Sequence, residues 1–340
     1  MSVRRQVIDT FGPVAVASLM GLAACSESRS DPLPAAGASP RETLSREPVE
    51  RLTPPPAVDP RLVTLGRKLF SERRLSADDT VACSSCHDLG HGGVDGRPMS
   101  VGIHGQTGAV NAPTVYNSGL NFVQFWDGRA PTLEEQVNGP LTNPLEMGSD
   151  WQQAVTKLAG DADYRGQFSA LFGDGITPEN VRGAIAAFER TLVTADSPFD
   201  RWLNGETGAL TAQQKAGYDV FKGVGCIACH QGRNVGGNML QRFGVFGDYF
   251  ADRGNVTKAD YGRFNVTGDE ADRFVFRVPS LRYASRTAPY FHDGSAQTLT
   301  QAVQVMAKYQ LGRTLDDEQV ASIVAFIVSL AGPSPSSAGG

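Results

Sequence analysis

Apolar residues along this chain recur mainly at three- and four-residue intervals, the spacing that gathers them on one face of a helix. Leu62, Leu65, Leu69 and Phe70 form such a face. Val181, Ile185, Phe188 and Leu192 form another behind Thr177-Pro178, where threonine can cap and proline can open the helix. Thr132 with Glu135, Thr211 with Gln214, Thr298 with Gln301 and Asp316 with Gln319 have capping-box spacing. They predict a short helix from 133, one ending at Gly223, one carrying Val303 and Met306, and a last one turning Val320, Ile323, Val324, Ile327 and Leu330 inward. Asp150 precedes a further helix over 151–158. Alternation is rare, and Arg273 to Val278 is the best strand. The class is mainly α, with long loops and little strand.

The ends read differently. Arg4 and Arg5 precede an apolar run from Gly12 to Ala24, too short to span a membrane, and Leu22-Ala23-Ala24-Cys25 resembles a bacterial lipobox. Residues 1–24 are therefore expected to be a lipoprotein signal, with Cys25 the lipidated residue of an exported, periplasmic protein held to a membrane by its lipid alone. Residues 25–60, rich in proline and without period, are expected to be a tether. Residues 333–340 are expected to be a loose tail.

Composition narrows the classes. With 41% hydrophobic and 20% charged residues the chain is neither collagen, coiled coil nor wholly disordered. A net charge of −5 without a long basic run disfavours a nucleic-acid partner. The 38 glycines and 20 prolines are many for 340 residues. Such a chain needs core material besides regular elements, and a large apolar group that is not protein would supply it.

The cysteines say which group. Cys83-Ser84-Ser85-Cys86-His87 and Cys226-Ile227-Ala228-Cys229-His230 are two copies of the c-type haem attachment pattern, in which two thiols add to the porphyrin and the next histidine binds iron. Each follows a helix, which suggests two cytochrome c-like domains, 61–204 and 205–332, each with one covalently bound haem c. Outside these units no close internal repeat is evident. For the sixth iron positions, His91 is too near His87 in sequence to reach the opposite face. His104 can wrap over across a glycine-rich loop, and His292 is the other histidine. Met239 and Met306 are the candidates at the second haem.

Residues 81–149 and 218–313 resemble the bacterial di-haem cytochrome c peroxidases, a family that includes MauG-like proteins. The matching segments are 83–96, Asn111 to Asn117, Gln124-Phe125-Trp126-Asp127-Gly128-Arg129, Glu135-Gln136, Pro144 to Met147, Ala288 to Gly294, Val305-Met306 and Gln310 to Gly312. The resemblance implies reduction of H2O2 to water with electrons from a small donor protein, a cytochrome c or a cupredoxin. It implies His104 as the removable ligand of the N-terminal, peroxide-reacting haem and Met306 as the sixth ligand of the C-terminal haem. Glu146 and Gln136 match the residues beside the peroxide site, and Trp126 the aromatic residue between the haems. Asn111, Thr287 and Pro289 match a calcium site between domains. A homodimer is also implied. His292 and Asp293 are taken as structural. Two alternatives stand beside this reading: a MauG-like enzyme oxidising residues of a partner protein, in which a tyrosine replaces the methionine, and a di-haem electron carrier without catalysis. Met306, with Tyr309 three residues on, argues against the first; Glu146 and the glycines around His104 argue against the second.

Overall fold

The computed structural model describes residues 47–335. The expected signal, Cys25, most of the tether and the last residues of the tail lie outside the described residues. The longer helices are α1 (Pro60–Phe70), α2 (Trp151–Ala159), α3 (Ala162–Leu171), α4 (Pro178–Arg190), α5 (Ala212–Val224), α6 (Leu299–Val305) and α7 (Asp317–Ser329). A single short ladder, β1 (Leu240–Arg242) antiparallel to β2 (Val275–Arg277), accounts for the strands among the described residues. Mainly helical architecture is thus what the spacing predicts. The caps are the anticipated ones: the side chains of Asp150, Thr177, Thr211, Thr298 and Asp316 each accept from a backbone N–H in the first turn. Of the elements just named, α3 and β1 were not anticipated. In α3 only Tyr164 and Phe168 are buried, too short a stripe to show periodicity, and β1 is three residues long. Helix α5 also runs to Val224, one residue past the expected end, and stops where Gly225 adopts φ +107°.

Two helix crossings organise the apolar interior. Helix α1 packs on α4, with Leu65, Leu69, Phe70, Ile185 and Phe188 in one cluster. Helix α5 packs on α7, with Tyr218, Phe221, Ile323 and Phe326 in another. Each crossing is made at a glycine. A side chain at Gly66 would begin 2.0 Å from the Ala184 carbonyl oxygen, and one at Gly217 would begin 1.8 Å from that of Ser322. Only glycine lets backbone approach backbone this closely.

The expected tether is not free over its last part. Val49 and Leu52 are buried, Glu50 N–H donates to the Gly232 carbonyl, Leu52 N–H donates to Asp200, and the Tyr218 hydroxyl donates to Glu47. Proline-rich composition signals missing regular structure, not missing contacts, and here an extended strap docks on the second cluster. The start of the tail is docked as well: the hydroxyls of Ser334 and Tyr116 are 2.6 Å apart.

No close sequence repeat is evident outside the attachment units, yet the backbone repeats beyond them. Residues 111–137 and 277–303 follow the same path. Gln124 N–H donates to the Ala130 carbonyl and Tyr290 N–H to that of Ala296, both at 2.7 Å. Phe125 and Phe291 are both left-handed, as are Asn117 and Tyr283. Thr132 and Thr298 then cap the helices that start at Leu133 and Leu299. The identities, Pro113/Pro279, Phe125/Phe291, Asp127-Gly128/Asp293-Gly294, Ala130/Ala296 and Thr132-Leu133/Thr298-Leu299, are mostly residues that a turn or a cap demands. They are spread too thinly to stand out in the sequence.

Gly66→Ala and Gly217→Ala should each cost about 1–3 kcal/mol by overpacking. Gly183→Ala, in α4 with nothing within 4 Å, should stabilise by up to about 1 kcal/mol. Denaturant midpoints measure all three, and unchanged midpoints at Gly66 and Gly217 would contradict the close crossings.

Candidate functional site

Each Cys-x-x-Cys-His unit forms part of a cavity wall. The first cavity, about 1350 Å³ counted to its open mouth, contains Cys83, Cys86 and His87; the second, about 1290 Å³, contains Cys226, Cys229 and His230. Cys83–Cys86 is one helical turn, and His87 caps it through its backbone. His87 Nδ1 lies 3.2 Å from the Gly93 carbonyl, and His230 Nδ1 lies 3.3 Å from that of Val235. A carbonyl on Nδ1 selects the tautomer that leaves the Nε2 lone pair for a metal. Burial lowers the pKa of both rings, that of His230 to about 4, so both are neutral, as an iron ligand must be. Burial pushes the Cys83 thiol up to about 12 and that of Cys226 to about 11. A redox-exchange Cys-x-x-Cys needs the opposite shift. The donor sets fit covalently held haem c and do not fit a dithiol switch.

The walls differ in chemistry. Gln136 and Glu146 line the first cavity with His87. Burial raises the Glu146 pKa against the lowering effect of Asn143, whose Nδ2 donates to Glu146 Oε1 at 2.6 Å. Glu189 of α4 lines the same cavity with a side chain buried in the protein, and burial lifts its pKa to about 8. Sequence reading missed Glu189, because one acid beside a helical stripe looks like a solvated face. Phe221, Phe243, Phe276 and Phe291, together with leucines, isoleucines and valines, give the second cavity a mostly apolar wall.

Met306 lines the second cavity with His230, whereas Met239 does not. It opens a π-helical turn, Met306–Gln310, directly after α6, a device that often re-aims a side chain at a functional site. Tyr309 lies off that wall, its ring against Tyr249 and its hydroxyl donating to Asp252.

His104 departs from expectation. It is not on the first cavity's wall; its side chain is 67% exposed, with Nδ1 3.4 Å from an Asp78 carboxylate oxygen. Left-handed backbone at His104 (φ +54°) and Gly105 (φ +71°) turns the loop tip outward. The loop base stays docked, since Ile103 N–H donates to the Glu146 carbonyl at 2.8 Å.

Between the cavities runs the loop 124–130. Phe125 lines the first cavity and Trp126 the second, and Trp126 Nε1 donates to the Asn111 carbonyl at 2.9 Å. Asn111 is buried; its Nδ2 donates to the Arg97 carbonyl, and the Thr287 hydroxyl donates to that of Ala284. Asn111 N–H donates to the His292 carbonyl, so Asn111 lies beside the segment that carries Thr287 and Pro289, although the three bring no carboxylate. Asp260, His292 and Asp293 cluster nearby. Arg253 pairs with both carboxylates, and His292 Nε2 lies 2.7 Å from Asp260. Burial works to raise the Asp260 pKa, yet hydrogen bonds from His292, Arg253 and Thr257 hold it well below the usual range. That cluster is satisfied internally and structural.

A family model described as di-haem cytochrome c peroxidase matches residues 60–208. The chain is 48% identical to the cytochrome c peroxidase Ccp of Escherichia coli over 287 residues, which is 84% of this chain and 61% of that protein. It thus spans about three fifths of that relative's length. It is 46% identical to the cytochrome c551 peroxidase of Nitrosomonas europaea over 290 residues, 85% of this chain and 84% of that one. Among solved structures, a MauG-like protein associated with microbial copper homeostasis aligns with a TM-score of 0.71 at 30% identity, covering 84% of this chain and 93% of the other. With both attachment units, their neutral histidines and this likeness in hand, the chain belongs to the di-haem cytochrome c peroxidase family.

Proposed function

We propose that this protein reduces hydrogen peroxide to water with electrons from a small redox protein, a cytochrome c or a copper protein. The observation that carries the reading is the placing of Glu146 and Gln136 on one wall with His87. In balance, H2O2 takes two protons and two electrons and leaves as two waters. When bound, haem iron supplies the redox chemistry and the coordination of peroxide.

The chain's own groups handle protons and access. Glu146, half-buried with a raised pKa, takes the proton from the near peroxide oxygen and returns it to the far one, so that water leaves. Gln136 orients the peroxide by hydrogen bonding. His87 and His230 would each ligate an iron, Cys83, Cys86, Cys226 and Cys229 would hold the porphyrins, and Met306 would be a further ligand in the second cavity. A thioether from Met306 would favour the reduced state of a haem held there, which would suit the second site to a donor's electron, and Trp126 lines that same cavity. His104 closes the first site at rest and leaves it for Asp78 on activation, an exchange that the flanking glycines permit. Asn111, Thr287 and Pro289 would hold calcium through an amide oxygen and main-chain carbonyls, the hard oxygen donors that this cation takes. Export with a lipid on Cys25, and pairing into a homodimer, belong to the same reading. Met306 on the second wall and Tyr309 off it favour the peroxidase over the MauG-like alternative.

The test is to half-reduce the purified holoprotein with calcium present and follow peroxide-dependent oxidation of reduced cytochrome c. Two cytochromes per peroxide are expected, and no turnover would overturn the reading. Glu146→Gln should keep both haems and lose about 10²–10⁴ in rate; full activity would remove Glu146 from proton transfer. Asn143→Ala removes a hydrogen bond that lowers the Glu146 pKa. Its pKa should rise, so the base form is lost at higher pH and the acidic limb of kcat/KM moves upward. A limb that stays or moves down contradicts the assignment.

A further inference from the structure

Among the described residues, Arg277 alone lines both cavities. It ends β2 and is 3% exposed. Its Nε donates to the Phe125 carbonyl at 3.2 Å, the one hydrogen bond of its guanidinium among the described residues. No carboxylate among the described residues pairs with it. Burial alone lowers its pKa, to about 10, so it stays charged at neutral pH.

Arg282 shows how this fold treats a buried guanidinium that it satisfies itself. Fully buried, Arg282 pairs with Asp200 at 2.8 Å and donates to the carbonyls of Arg233 and Glu50 and to the Ser197 hydroxyl. Arg277 has no such set. A buried charge without a counter-ion is strongly unfavourable, so an anion from outside the polypeptide must meet it. Arginine suits a carboxylate because its planar fork offers parallel N–H donors. The group expected in each cavity brings that chemistry: haem c is tied to the cysteines by one edge and carries two propionate carboxylates elsewhere on the ring.

We propose that Arg277 is a shared counter-ion for the two porphyrins, taking a propionate carboxylate from each cavity. The inference rests on haem occupying both cavities and not on peroxidase turnover. Its position explains why one residue can serve two sites. Arg277 N–H donates to the Trp126 carbonyl at 2.7 Å, and its counterpart in the repeat, Asn111, donates to the His292 carbonyl at 2.8 Å. These reciprocal bonds set both residues at the junction of the halves, where the walls of the two cavities meet. One of the two carries an amide and the other a cation. A fixed positive charge facing both porphyrins favours the reduced state of each, so Arg277 holds both potentials up together.

The test uses the holoprotein. Two haems per chain are first verified by pyridine haemochrome, and fewer would sink the family reading together with this one. Potentiometric titration followed by absorption then compares Arg277→Gln and Arg277→Lys with the native protein. Arg277→Gln should lower the reduction equilibrium of both haems by about tenfold or more, about 59 mV each for one electron. Arg277→Lys, keeping the charge but losing the fork, should lower both by less. A shift at one haem only, or at neither, overturns the proposal. Should Arg277→Gln fail to accumulate, a crystal structure of the native holoprotein decides: the guanidinium within hydrogen-bond distance of a propionate from each haem supports it, and contact with one haem or none overturns it. Absence of peroxide turnover in the native protein with these results intact would cost the peroxidase reading and leave this one standing.

Discussion

Two main-chain hydrogen bonds, Asn111 N–H to the His292 carbonyl and Arg277 N–H to the Trp126 carbonyl, tie the halves of the molecule to each other. A hydrogen bond contributes about 1 kcal/mol net, so this pair is not a strong glue. Its force lies in what happens when the register is wrong. Asn111 and Arg277 are buried, His292 is buried and stacks on Phe276, and the Trp126 indole would lose the Asn111 carbonyl. A slip would strand several polar groups away from water at once. The clasp therefore fixes where Phe125 and Trp126 stand, and with them the partition between the cavities.

One frame carries two chemistries. The segments 111–137 and 277–303 turn at the same places, yet they serve unlike pockets. Glu146 and Glu189 give one pocket carboxyl groups and Gln136 gives it an amide, while the phenylalanines around His230 give the other an apolar wall. The two halves diverge beyond the shared helix start. After Leu133 the chain continues through Pro140 toward Glu146, whereas after Leu299 it enters the π-turn that presents Met306. The frame decides where a porphyrin can sit, and the next dozen residues decide what happens there.

The attachment units were legible because covalent chemistry demands fixed residue types at fixed spacing. The caps were legible for the same reason, each being a local contract between a side chain and a backbone N–H three residues on. Met306 could be placed on a helix but not on a π-turn, since no residue type marks one. The repeat was hidden because its fixed points are turn residues separated by variable ones. Glu189 and Arg277 look like ordinary surface charges in sequence; only tertiary burial singles them out. His104 was legible as a candidate ligand, while the left-handed backbone that turns it toward Asp78 was not, since histidine by itself does not mark a turn that non-glycine residues seldom make.

The strap at residues 47–53 has a consequence for biogenesis. Its docking partners, Asp200, Gly232 and the Arg282 that grips the Glu50 carbonyl, are made long after it. A chain emerging from its N-terminus can complete the α1–α4 crossing well before the strap has anywhere to bind. Closing so large a loop is entropically late work. The first described residues to be synthesised are thus among the last to find their place, and their docking reports that the second half has been built.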